Sequence, residues 1–341
     1  MIMDKTIMQS IFKNKFVFIG IGAAAMVAVL AMAGKMAIDR KAEARIAEVL
    51  EDQKLESKLT YKSVSAGWLG NSVTLRDVAI HAAQGEESVL HIAQLRLSDI
   101  RESEDSDIPS ALRIQLKGLD MPIVTTAAGE TLKLARNDFA SLAGLGYTRL
   151  VGDVELRYDY QSEGHRLEIG MALDLEDMGK AHATVALEKV DLAALTKLRK
   201  VVAAPDLYPS ALLLGLGLSA LEAAGNVRLA ELDFRLNDAG LRERVLLGKR
   251  EQAQFPGDLK TFAASVAEEV RKEGRREAKG SKGERVLAFY EELAEFVEDG
   301  GDLAGKTDME RPVAIFSDGS MGPAFKGLQS FLAATRFELR H

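Results

Sequence analysis

Residues 153–188, DVELRYDYQSEGHRLEIGMALDLEDMGKAHATVALE, decide how this chain folds. Val154, Leu156, Tyr158 and Tyr160 alternate with Asp153, Glu155, Arg157 and Asp159. After the turn signal Ser162-Glu163-Gly164, Leu167, Ile169, Met171, Leu173 and Leu175 alternate again, and beyond Gly179 so do Ala181, Ala183, Val185 and Leu187. Successive side chains of a strand point to opposite faces, so three neighbouring runs of period two predict a meander with one dry and one wet face. Leu167, Ile169, Met171, Leu173 and Leu175 form a candidate apolar groove on the dry face, provided nothing covers them.

The same pattern extends in both directions. LTYKSVSA from Leu59, a turn at Gly67-Trp68-Leu69-Gly70-Asn71, and SVTLRDVAIHA predict a hairpin. There Val73 and Leu75 are out of step with Val78 and Ile80, which calls for a bulge near Asp77. The offset recurs between Leu90, Ile92 and Leu95, Leu97, and Leu112, Ile114 and Leu116 continue the alternation between Pro109 and Pro122. Val227, Leu229, Leu232, Phe234 and Leu236 add a strand before Asn237-Asp238-Ala239-Gly240. Helices are expected from Asn137 or Asp138 to Leu142, from Asp191 to about Val202, and over 258–272 and 284–298. The uncharged stretch Ser210 to Leu221 suits a buried helix or a segment that touches lipid.

Near the start, residues 16–34 read FVFIGIGAAAMVAVLAMAG, with no charge. As a helix this stretch would reach about 28 Å, close to the hydrocarbon thickness of a bilayer. A membrane anchor is the expectation, with Lys5, Lys13 and Lys15 favouring an inside N-terminus. The alternative is a cleaved signal, since Ala31-Met32-Ala33 has the small-x-small form of a cleavage site. The polar, thinly striped helix that follows suits a stalk. The expected divisions are a short cytoplasmic N-terminus at 1–15, the anchor at 16–34, the stalk at 35–58, a β-rich domain at 59–245 and a helical region with a closing strand at 246–341.

Composition narrows the chemistry. The 341 residues carry a formal charge of −7, which gives no electrostatic reason to expect nucleic acid as a partner. With no cysteine there is no disulfide framework, thiol chemistry or cysteine-based metal site. The five histidines stand singly, without the spacing that places two metal ligands on one helix face. Glu102-Ser103-Glu104-Asp105-Ser106-Asp107 lacks the glycine and bidentate glutamate of a calcium loop. No catalytic constellation, cofactor or metal is expected, and the protein reads as a non-enzyme. Arg271, Lys272, Arg275, Arg276, Lys279, Lys282 and Arg285 form a basic run that would suit anionic headgroups.

The pattern L-T-Y-x-S-V-S-A-x-x-L-G-x-S-V-T-L-x-D-V-x-I over 59–80, behind an anchor and stalk, resembles the opening of AsmA-like envelope proteins. Leu236-Asn237-Asp238-Ala239-Gly240-Leu241-x-x-Arg244 is similar to the strand-turn-helix signature of small anchored periplasmic proteins. The resemblance implies a curved sheet with an apolar-lined groove, phospholipid as the ligand class and placement in a bacterial inner membrane, with the domain in the periplasm. The expected fold is therefore α+β: an N-terminal transmembrane helix, a curved, mostly antiparallel, groove-like sheet packed with helices, and a helical C-terminal segment. Its expected function is to bind lipid or an apolar segment of another envelope component. The alternative is an accessory subunit or scaffold of a membrane complex that holds its partner through the C-terminal helices.

Overall fold

The computed structural model describes residues 59–67, 72–81, 88–101, 109–123, 140–191, 226–278, 283–317 and 320–341. The chain divides into two compact units, Met1–Leu156 with Asp191–Ala223, and Arg157–Val190 with Ala224–His341.

In the first unit β1 (Leu59–Thr60) and β2 (Ser63–Ala66) pair with β3 (Val73–His81), followed in sheet order by β4 (Ser88–Arg101), β5 (Ala111–Pro122) and the start of β6 (Arg149–Gln161). A short helix, α1 (Ala140–Gly144), precedes β6. The pairings of β1 through β5 are antiparallel. Rungs Val73–Leu97–Ile114, Leu75–Leu95–Leu116 and Val78–Ile92–Leu119 cross three strands, and none of these nine side chains is more than 4% exposed.

The offset between Leu75 and Val78 is absorbed differently from the expected bulge. Asp77 takes a left-handed backbone, φ 51°, yet Leu75 pairs with Leu95 and Val78 with Ile92 in one unbroken register. Two strands away Gly118 does the same, φ 60°, between Leu116 and Leu119. A Cβ on Gly118 would lie 2.8 Å from the Ala93 Cβ, and its N–H donates to Asp153 Oδ1 at 2.8 Å. In β3 and in β5 one residue turns over, and the apolar side chains on both sides of it stay inward. Asp and Gly tolerate this conformation better than a β-branched residue would.

The second unit holds the end of β6, then β7 (Arg166–Leu175), β8 (Gly179–Glu188), β9 (Arg228–Asp238) and α2 (Leu241–Gln252). There follow α3 (Leu259–Glu277), α4 (Gly283–Asp299), β10 (Asp302–Lys306), β11 (Val313–Ala314), β12 (Phe316–Ser317), β13 (Ser320–Met321), α5 (Leu328–Thr335) and β14 (Glu338–Arg340). Sheet order runs β6, β7, β8, β9, β10, β14, with β11 also on β9, while β12 and β13 form a separate ribbon. The Asp258 carboxylate caps α3 by accepting from the Thr261 N–H at 2.7 Å, and that bond holds its pKa below the ordinary value. At Gly274 a Cβ would lie 2.6 Å from the Tyr290 Cβ, so the glycine lets α3 and α4 approach closely.

These elements correct the expected fold class. The structure is a mostly antiparallel sheet with few helices, and among the described residues no helix is long and apolar enough to cross a membrane. The longest, α3, has nineteen residues, nine of them charged, and each such charge at a bilayer centre costs on the order of 3 kcal/mol. The anchor expected at 16–34 and the stalk at 35–58 lie outside the described residues. A transmembrane helix, a single-pass topology and an inner-membrane placement with a periplasmic domain are therefore not carried forward. The acidic run at 102–107, the helix expected from Asp191 and the apolar stretch at 210–221 also lie outside the described residues, apart from Asp191 itself.

Candidate apolar binding face

The five groove residues predicted on β7 share a face, but they do not share an environment. Antiparallel register places Leu167 beside Leu187 and Leu229, Ile169 beside Val185 and Leu232, Met171 beside Ala183 and Phe234, and Leu173 beside Ala181 and Leu236. Val185 pairs with Leu232 and Leu187 with Leu229, so β9 carries one residue more than β8 over this span, and the register shifts between Ala186 and Leu187. That bulge keeps Leu229 and Leu232 on the same face, although three residues separate them.

One end of the face is closed by Leu167, Leu187 and Leu229, all buried, while at the other end Leu173 and Leu175 are buried beside half-buried Ala181 and Leu236. Beyond Leu167 the buried Tyr160 hydroxyl donates to Val190 O at 3.1 Å and lies 2.9 Å from His165 Nδ1.

Between those ends two rungs remain open. Ile169 is 39% exposed, and Met171, Ala183, Val185, Leu232 and Phe234 are half-buried. With strands about 4.8 Å apart and about 3.4 Å of rise per residue, the open part measures roughly 10 Å by 7 Å. On its β9 side an aromatic layer closes the sheet. Phe234 stacks on Phe337 at 6.0 Å, and Phe289 from α4 and Phe331 from α5 reach Phe337 at 6.3 and 5.8 Å. Gly305 pairs with Phe234, and a Cβ there would overlap both the Phe234 and Phe337 rings. The glycine in β10 is what lets the aromatic layer lie flat on the sheet.

The basic run is distributed differently from a cationic patch. Arg271 donates to Glu291 at 2.7 Å and to Glu298 at 3.2 Å, tying α3 to α4, and the Glu291 bond raises its pKa. Lys272 bonds Glu269 at 2.8 Å, Arg275 bonds Glu268 at 2.6 Å, and Arg276 pairs with Glu273. Arg285 is exposed on α4, while Lys279 and Lys282 lie outside the described residues. Four of the seven cations thus face carboxylates of their own helical layer. Among the described residues no group of three or more His, Asp or Glu side chains is placed to hold a metal ion.

The 236–244 motif has an architectural use that sequence reasoning missed. Asp238 N–H donates to Gly301 O at 3.0 Å and Ala239 N–H to Met178 O at 3.2 Å. The Asp238 carboxylate accepts from Arg242 N–H at 2.9 Å, and the Arg242 guanidinium donates to Val297 O at 2.9 Å and to Glu298 O. Arg244 reaches Asp177 at 3.5 Å. Gly179, φ 116°, sits so close to Asn237 O that a Cβ would overlap it. The β7–β8 turn, the β9–α2 turn and the α4–β10 turn therefore interlock, and Arg242 satisfies carbonyls at the end of α4 that the helix leaves unpaired. The sequence signal was present in the Asn-Asp-Ala-Gly turn and its following arginines, but their partners come from turns some 60 residues away on either side along the chain.

The second unit is thus a helix-backed antiparallel sheet with one half-open apolar face. A family model described only as "Uncharacterized protein" matches residues 172–330, which take in β8, β9, the interlocked turns and α2 through α4. No match to the chain was found among curated proteins.

Proposed function

We propose that the protein is a non-enzymatic binding module that seats one acyl chain of a lipid on the rungs Ile169–Val185–Leu232 and Met171–Ala183–Phe234. The observation that carries this reading is the exposure of Ile169 at the centre of an apolar face whose Leu167 end is sealed. A fully buried face would be ordinary core, and a scattered exposed apolar residue would need no explanation. Here the exposed isoleucine has half-buried apolar neighbours on two adjoining strands. Met171 adds an unbranched, adaptable side chain that tolerates ligands of varying shape. The resemblance to AsmA-like proteins supports the same ligand class.

The patch is too small for a folded partner, since a stable protein interface buries about 800 Å² on each side. The scaffold reading is weaker for a separate reason. Val286, Phe289, Tyr290, Leu293, Ala294 and Val297 of α4 are buried, which leaves Leu287, 42% exposed, as the large apolar residue that α4 presents outward.

The test uses the full chain, purified without detergent. Solvent extraction followed by mass spectrometry is expected to yield lipid, and cis-parinaric acid is expected to bind saturably. Ile169→Lys should weaken that binding at least tenfold with an unchanged circular-dichroism spectrum, whereas Leu287→Lys should leave it intact. Absence of both extracted lipid and saturable binding would overturn the reading, as would Ile169→Lys binding at full strength. A stoichiometric apolar peptide in place of lipid would replace the acyl chain with a protein segment.

A further inference from the structure

We draw no further inference here: the strongest candidate, the pair of half-open apolar rungs across β7, β8 and β9, belongs to the site already described, and nothing in the structure shows what covers it.

Discussion

The dry face of β3, β4 and β5 and the dry face of β7, β8 and β9 are written in the same alphabet. Each is three antiparallel strands crossed by rungs of aliphatic side chains, and each contains a place where the alternation slips by one residue. In the first unit the slip is an in-register reversal at Asp77 and Gly118, and all nine rung residues are sealed. In the second the slip is a bulge in β9, the Leu167–Leu187–Leu229 rung is sealed, Leu173 is buried beside half-buried Ala181 and Leu236, and the middle two rungs are half-open. Alternation therefore tells which side chains leave the wet face. It does not tell whether anything receives them.

That contrast is broken most directly by truncating matched rung residues. Leu75→Ala removes a fully buried side chain and is expected to cost about 2–5 kcal/mol in urea denaturation, whereas Ile169→Ala should cost less than about 1 kcal/mol. Equal losses would mean that the β7 face is packed as tightly as the β3 face. Next in size, Gly305→Ala should cost about 1–3 kcal/mol, because the new methyl drives into the Phe234 and Phe337 rings. A neutral result would show that the aromatic layer is loose and that the open region extends toward β10.

Arg242→Ala isolates the interlocked turns from the face itself. It removes donors to Val297 O and Glu298 O, and a loss of about 2 kcal/mol is expected, with acyl-chain binding retained in whatever fraction stays folded. Loss of binding without loss of stability would tie the turns to the site. The smallest effect concerns Asp258. Its pKa is depressed in the folded protein, so its contribution is present above the ordinary carboxylate pKa and disappears as pH falls through the lower folded value. Asp258→Asn keeps a capping side chain but cannot titrate, and should flatten the fall in Tm on acidification below about pH 4. An identical acid profile in both proteins would rule out the cap as a contributor.

Much of this architecture was legible beforehand, for local reasons. The runs at 153–188 mark β6, β7 and β8, because period-two alternation reflects the steric geometry of a single strand. The apolar stripes of α3 and α4 are visible for the equivalent reason at period 3.6. The slip at Asp77 was visible too, as an offset between Leu75 and Val78, but sequence could not distinguish an inserted residue from a left-handed one. Both restore the facing, and a single strand's pattern is the same for either. The candidate groove was half legible: all five β7 residues share the predicted face, while Leu167, Leu173 and Leu175 are buried. For the basic run, seven cations along the sequence suggested a surface charge, but the carboxylates that meet Arg271 come from another helix.

By itself the sequence determined where β3 through β9 and the helices α3 and α4 form, which side of each is apolar, and, having no cysteine, that thiol chemistry is absent. Those properties depend on residues within a few positions of one another. Only the tertiary structure decided that the middle of the β7 face stays half-open, that Arg242 holds the end of α4, and that Arg271 of α3 meets Glu291 and Glu298 of α4. Burial and pairing are settled by elements far apart in the chain, and a side chain's period carries no information about what lies opposite it.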